Sequence, residues 1–296
     1  MQYLILVVVF LYSSMAFPNE DGSITPVRVC QVEKAKYLFR IDLANLILAK
    51  TAPVYGDARV TPFRKETSTV SQDRCVVLLK QQQVDLLYLP PKDNLLESFD
   101  YIPFDIHAGM LGYRVFIIRE NDQRRFDQVE SLDDLRRFVG GFGSQWGDFK
   151  VFGLNDLPVI GAANTSVLLN MLNHERFDYF HRGLHEAWAE VEANNSKLPN
   201  LSVETGLTLR YPFQVYYWFN PSNTELKQRF ETGLLLVLQD GSYHALFKEY
   251  FQKTVKRARL AERKTINIKY PLPQKSDNWV TEVNHTPFWV EPRWLD

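Results

Sequence analysis

The chain has 296 residues, 45% of them hydrophobic and 14% aromatic, enough to fill one large globular core or two of ordinary size. Lysine and arginine number 34 against 35 aspartates and glutamates, so no overall basic field points to nucleic acid or an acidic membrane surface. After the N-terminus no segment approaches the roughly 18 consecutive apolar residues of a membrane span.

In chain order, Met1-Gln2 precedes an uncharged apolar run from Tyr3 to Tyr12. Ser13-Ser14-Met15-Ala16 then puts small residues where a signal peptidase reads, and Asn19, Glu20 and Asp21 open a polar stretch. Such a run is too short to span a bilayer and fits a cleavable signal peptide over residues 1–16, although no Lys or Arg precedes it. Export across the inner membrane to the periplasm is the expectation. No cysteine follows the cleavage site, so a lipid anchor is not indicated there.

Strands and helices alternate from residue 25. Val27 to Val32 is β-rich, and Tyr37 to Ala52 carries apolar residues at helical spacing. Arg59 to Phe63 reads as a second strand, and Ser71 opens a helix through Leu78-Leu79. Val84 to Leu89 is a third strand, ended by Pro90-Pro91. Buried strands separated by helices imply a parallel sheet. Cys30 and Cys75, on the first strand and the second helix, are compatible with one disulfide or with two buried thiols.

Tyr113 to Arg119 is a further strand, after which a second α/β series begins at Ser131, a good N-cap with Asp133 and Asp134 in the first turn. Strands follow at Val139–Phe142, Pro158–Gly161 and Phe177–Phe180, with helices at Trp146–Phe152, Thr165–Leu172 and about 184–193. Leu207 to Phe219 is β-rich and long enough to run between two lobes. Helices at Asn223–Leu238 and Ser242–Lys256 are punctuated by Asp240-Gly241. From Thr265 on, Pro271, Pro273, Pro287 and Pro292 break the chain, and an extended surface tail is expected over 265–296.

Several pieces recur in an order that resembles the solute-binding proteins of ABC importers, the amino-acid-receptor group with a type II periplasmic-binding-protein fold. They are Leu78-Leu79-Lys80-Gln81-Gln82-Gln83-Val84-Asp85-Leu86, then Ser131-Leu132-Asp133-Asp134-Leu135 leading into Val139 to Ser144, then Asp240-Gly241-Ser242-Tyr243. The resemblance covers roughly residues 25 to 255 and implies an α/β fold of two parallel-sheet lobes joined by two crossing strands. Lobe one would be 25–113 plus 212–264, and lobe two 114–211. The family's Thr-x-Glu-Arg segment is missing, since Pro90-Pro91-Lys92-Asp93-Asn94 stands in its place without an arginine. An α-amino acid is therefore not carried over as the ligand. Phe177-Asp178-Tyr179-Phe180-His181-Arg182-Gly183 is closer to a branch with an aromatic-Asp-aromatic-aromatic-x-Arg-Gly segment.

The expected ligand contacts follow from residue chemistry. Gly140-Gly141-Phe142-Gly143-Ser144-Gln145-Trp146-Gly147 lies between a strand and a helix, where glycines admit close backbone approach and a helix start favours an anion. The spacing is not that of a dinucleotide or P-loop site. Arg182 is the candidate two-point grip on a carboxylate or phosphate, against the plainer role of pairing with Glu186 one turn on. Asn164 and Thr165 open a helix and Arg74 opens another, while Tyr37, Tyr88 and Trp146 are candidate walls. His181 and His185 are four apart, with Gly183 between them and no third ligand apparent, so no metal or cofactor is expected. The expectation is a monomeric, non-enzymatic receptor for a small polar or anionic molecule, partnered by an ABC permease. The alternatives are a membrane sensor or, failing both, an enzyme on the same scaffold.

Overall fold

The computed structural model describes residues 23–30, 38–64 and 70–270. The signal-peptide reading, the candidate Tyr37 and the chain after 270 lie outside the described residues. The first lobe opens with β1 (Thr25–Val29), α1 (Leu38–Lys50), the single-turn α2 (Ala52–Tyr55) and β2 (Ala58–Pro62), followed by α3 (Gln72–Lys80), β3 (Leu87–Leu89), α4 (Asp93–Ser98) and β4 (Asp100–Tyr101). The chain then crosses through Met110–Gly112 into β5 (Tyr113–Arg119), α5 (Gln123–Phe126) and α6 (Leu132–Leu135). Next come β6 (Gly140–Gly143), α7 (Lys150–Leu154), β7 (Val159–Ala162) and α8 (Thr165–Asn173). β8 (Phe180–Gly183), α9 (Leu184–Asn194), β9 (Leu201–Val203) and β10 (Leu207–Arg210) complete the second series. It returns as β11 (Tyr216–Phe219), α10 (Thr224–Gln239), α11 (Ser242–Ala258) and β12 (Lys264–Asn267).

Both lobes are built on one plan. In lobe one β1 and β2 pair in parallel, with Val27 opposite Val60, and a parallel bridge from Val29 to Leu86 brings in the approach to β3. β11, arriving from the other lobe, fits antiparallel between β3 and β4, with Tyr217 opposite Tyr88 and Trp218 opposite Tyr101. In lobe two β6 and β7 are parallel, a parallel bridge joins Gly140 to Tyr179, and β5 is the arriving strand. It runs antiparallel to β8, β9 and β10. The expected parallel strands are thus present in each lobe, and the crossing strand makes each sheet mixed.

The long β-rich stretch 207–219 is two strands in two sheets. Pro212, which has no N–H to give to a ladder, lies in the break between them. Each strand's alternation fits its sheet: Leu87 and Leu89 pack with Tyr216 and Trp218 on one face of lobe one, while Tyr88, Tyr217 and Phe219 join the core on the other. Cys30 and Cys75 form a disulfide, their Cα atoms 5.8 Å apart, linking the end of β1 to the first turn of α3. α1 is closed at its C-terminus by buried Arg229 of α10, which donates to Leu48 O at 3.0 Å and Thr51 Oγ1 at 2.9 Å. α1 also packs Phe39 edge-on against Phe247 and Phe251 of α11.

The start of the expected tail is corrected. Lys264–Asn267 pairs in parallel with β10, and Ile266 and Ile268 are buried. The alternation of Ile266 with Ile268 is a strand period that the prolines just downstream obscure. Among the described residues no helix is long and apolar enough to cross a membrane.

Candidate functional site

The C-terminal ends of β6, β7 and β8 lie side by side in lobe two, the end of an open α/β sheet at which ligands bind. The sequence candidates Gly143, Ser144, Gln145, Trp146, Asn164, Thr165 and Arg182 all stand there. Ser144 N–H donates to Ala162 O at 3.0 Å, which ties the loop after β6 to the end of β7. Asn164 caps α8, its side chain accepting from Val167 N–H at 3.0 Å, and Thr165 is the first helical residue. Ser144, Gln145 and Asn164 are exposed, whereas Trp146 is half-buried.

The glycines of β6 serve the rings around them. A Cβ on Gly143 would come within 2.2 Å of Trp146 Cδ2, and one on Gly141 within 2.1 Å of Phe177 Cζ. Trp146 therefore folds back over its own strand, where it stacks near Phe180 with centroids 6.1 Å apart and meets Phe142 edge-on at 4.9 Å. The Arg182 guanidinium lies 4.9 Å from the Trp146 ring.

Arg182 is 7% exposed, and its charge is already engaged. Nε donates to Glu190 Oε2 at 2.7 Å and Nη2 to Glu190 Oε1 at 2.5 Å, a two-point grip, with Glu186 Oε1 at 2.9 Å. Burial disfavours that charge, yet Glu186 and Glu190 outweigh it and hold the pKa above the ordinary arginine value. The Glu186 pairing was legible from i,i+4 spacing; Glu190, two turns on, was not.

Beneath the loop, sequence reasoning missed a polar cluster. Asp148 Oδ2 accepts from Tyr211 Oη–H at 2.7 Å and from Arg114 Nη2 at 3.0 Å, all three residues being buried. Arg114 is the second residue of β5 and Tyr211 opens the return segment, so Asp148, near the end of the loop that leads into α7, is tied to both crossings. Those crossings touch: Tyr211 N–H donates to Gly112 O at 3.1 Å, and a Cβ on Gly112 would meet Tyr211 O at 2.4 Å. His181, flanked by Phe142 and Phe152, has its ring nitrogen 3.4 Å from Tyr211 Oη. Burial, reinforced by Arg114 and Arg182, pushes its pKa well below the ordinary value and keeps it neutral. His185 is likewise lowered, to about 4, by burial, with Glu186 opposing and Arg40, Arg114 and Arg182 adding to it. Among the described residues no group of three His, Cys, Asp or Glu side chains is placed to hold a metal. Nothing local in the sequence pairs Asp148 with partners 34 and 63 positions away.

Lobe one meets this surface at the end of β3. Lys92 Cε would lie 3.6 Å from a Cβ on Gly147, and Lys92 Nζ is 3.6 Å from Asp73 Oδ1 on α3. Arg74, next to Asp73, is exposed on that helix. Tyr88 is not gathered with these residues: it is 3% exposed in the lobe-one core, its ring 5.7 Å from the Arg40 guanidinium, and Arg40 Nη1 donates to its carbonyl.

No family model and no curated protein matches the chain. Solved structures do match. A structure described as an ancestral arginine-binding protein bound to arginine is 16% identical, covering 78% of this chain and 98% of its own, with TM-score 0.52. One from a study of glutathione import via GshT and the cystine ABC importer TcyBC of Streptococcus mutans is 11% identical, covering 78% and 96%, with TM-score 0.55. A histidine kinase sensor domain with similarity to periplasmic binding proteins is 15% identical, covering 77% and 95%, with TM-score 0.52. The chain has a two-lobed α/β fold like that of these periplasmic-binding-protein structures.

Proposed function

We propose that the protein captures a small polar or anionic solute between lobe one, residues 25–113 plus 212–264, and lobe two, residues 114–211, in the periplasm after loss of residues 1–16. The observation that carries this reading is the convergence of Ser144, Gln145, Trp146, Asn164 and Thr165 at the ends of the parallel strands β6 and β7, with Lys92 of lobe one lying against Gly147. The lobes rotate about Gly112–Arg114 and Tyr211–Gln214, and closure buries the solute. Free amides at the start of α8, the Trp146 edge and Lys92 supply the polar contacts. Arg182, its charge taken up by Glu186 and Glu190, holds the underside of Trp146. No chemical step is assigned to the site, and the closed form is delivered to an ABC permease.

Sensing without import is the second reading, favoured by the fold shared with a histidine kinase sensor domain. Neighbouring permease and ATPase genes favour import, and a kinase gene favours sensing. For either reading, a thermal-shift screen uses L-arginine, L-glutamate, glutathione, succinate, putrescine and inorganic phosphate. At least one probe should raise the melting temperature, and both Trp146→Ala and Lys92→Ala should erase the shift. A shift kept in both variants places the solute elsewhere.

A further inference from the structure

The described chain crosses between the lobes a third time. α11 belongs to lobe one, where Phe247 and Phe251 pack on Phe39. After one tight turn at Leu260–Glu262 the chain enters the sheet of lobe two as β12. Lys264 N–H donates to Gly206 O at 2.8 Å and Ile268 N–H to Arg210 O at 2.9 Å, so the ladder on β10 extends past the strand itself. Arg263 locks the turn, its guanidinium donating to Ala258 O at 2.7 Å, Glu204 O at 2.8 Å and Leu207 O at 2.9 Å.

The next two residues are held by side chains of lobe two. Asn155, 3% exposed at the end of α7, grips Lys269 in both directions. Its Nδ2 donates to Lys269 O at 2.8 Å, and its Oδ1 accepts from Lys269 N–H at 2.7 Å. Tyr270 then sets its ring 5.6 Å from Tyr211 and 6.2 Å from Phe213, on either side of Pro212 in the second crossing segment. Lys150 Nζ lies 5.3 Å from the Tyr270 ring. A residue anchoring only a loose tail does not require a buried amide with both its polar atoms satisfied by one backbone unit.

The geometry points to residues 264–270 as a third hinge element that restrains lobe rotation and so sets how far the cleft opens. One end of the segment is fixed to lobe one through α11, the other to β10, Asn155 and the crossing residue Tyr211. Rotation about the two crossings must therefore bend the Leu260–Glu262 turn or part Tyr270 from Phe213, which lies across Pro212 from Tyr211. A restraint of this kind lowers the population of open states and the entropy lost when a solute closes the lobes. Its purpose rests on the solute-capture reading, but its test needs no solute.

Nitroxide labels on non-canonical residues at positions Glu97 and Arg124, both exposed and one in each lobe, leave the disulfide untouched. Pulsed EPR on the mature full chain then reads the inter-lobe distance distribution. With Asn155→Ala and Tyr270→Ala combined, the distribution should widen about twofold, while Tyr270→Phe, which keeps the ring, should match the parent. If the double variant does not fold, Tyr270→Ala alone is read in the same way and should widen the distribution in the same direction. A parent-like width in the folded variant carrying Tyr270→Ala overturns the inference, as does a parent already as broad as that variant. Failure of every solute to bind would sink the functional reading and leave this result standing.

Discussion

The two lobes share a strand plan and differ in what holds it. Lobe one is stapled: Cys30–Cys75 joins β1 to α3 over a cluster of Leu78, Leu79, Leu87, Leu89 and Trp218. Lobe two has no cysteine, and it buries Arg114, Asp148, Asn155, His181, Arg182, Glu204 and Thr208. Its sheet is also thinned by glycines so that Phe152, Phe177 and Trp146 can lie against β6. A covalent link makes a lobe rigid at little chemical cost, whereas buried ion pairs demand near-complete satisfaction. Lobe one also buries Arg40, Thr51, Asp105, His107 and Arg229, so the contrast lies in the staple of one lobe and the glycine-thinned sheet of the other, where Asp148 joins the candidate ligand loop to both crossings. The difference teaches that one strand plan can be held by a covalent link in one lobe and by buried ion pairs in the other.

The sharpest way to break the stapled side is Cys30→Ser with Cys75→Ser. The bridge closes a sequence separation of 45, so chain-entropy reasoning expects a loss of about 4 kcal/mol, read by urea unfolding. Intrinsic tryptophan fluorescence, to which buried Trp218 contributes, should report it, and near-equal stability with and without reductant would remove the staple from the comparison.

On the charged side Arg182→Ala leaves Glu186 and Glu190, largely buried, facing each other without their cation. A loss of about 3 kcal/mol is expected, and Arg182→Lys should recover only part because an ammonium cannot make the two-point grip. Full recovery by lysine would show that charge alone matters there.

Acid titration sharpens the comparison at the junction of the lobes. Asp105 accepts backbone N–H bonds from His107, Gly109 and Val215, tying the first crossing to the second. Burial nevertheless raises its carboxyl to about 6, against the opposing pull of those bonds and of Arg40. Because the folded-state pKa lies above the unfolded value, the stabilisation from the protonated form is complete below about pH 4 and is lost as pH rises through about 6. This contribution, about 3 kcal/mol, should vanish from the pH dependence of urea unfolding in Asp105→Asn. An unchanged slope would exclude Asp105 as its source.

The smallest change tests the glycines. Gly141→Ala pushes a methyl group into the Phe177 ring, and a loss of roughly 1–2 kcal/mol with a shifted near-UV aromatic signal is expected. If calorimetry finds the variant neutral, the close approach is not what selects glycine there.

Much of the fold was legible because its signals are local. Apolar period, Ser71 and Ser131 as caps, and Asp240-Gly241 as a break all read correctly, and both serines accept from the backbone three residues on. Residues Gly143 to Trp146, Asn164 and Thr165 were legible as a group because they sit at strand ends. The site's support was not. Glu190 on Arg182, and Arg114 and Tyr211 on Asp148, join residues from different elements, and nothing in the spacing of a charged residue names a partner across a sheet. The expected tail failed at its first strand for the same reason: a four-residue strand is recognisable only beside the neighbour that pairs with it.

By itself, then, the sequence determined the alternation of strands and helices, the two-lobed class and the position of the candidate loop between a strand and a helix, since periodicity and capping are encoded within a few residues. Only the tertiary structure decided that the cysteines are bonded, that Glu190 grips Arg182 at two points, and that the chain returns to lobe two as β12. Those outcomes depend on which surfaces meet after the sheets assemble, and long-range packing and burial set them.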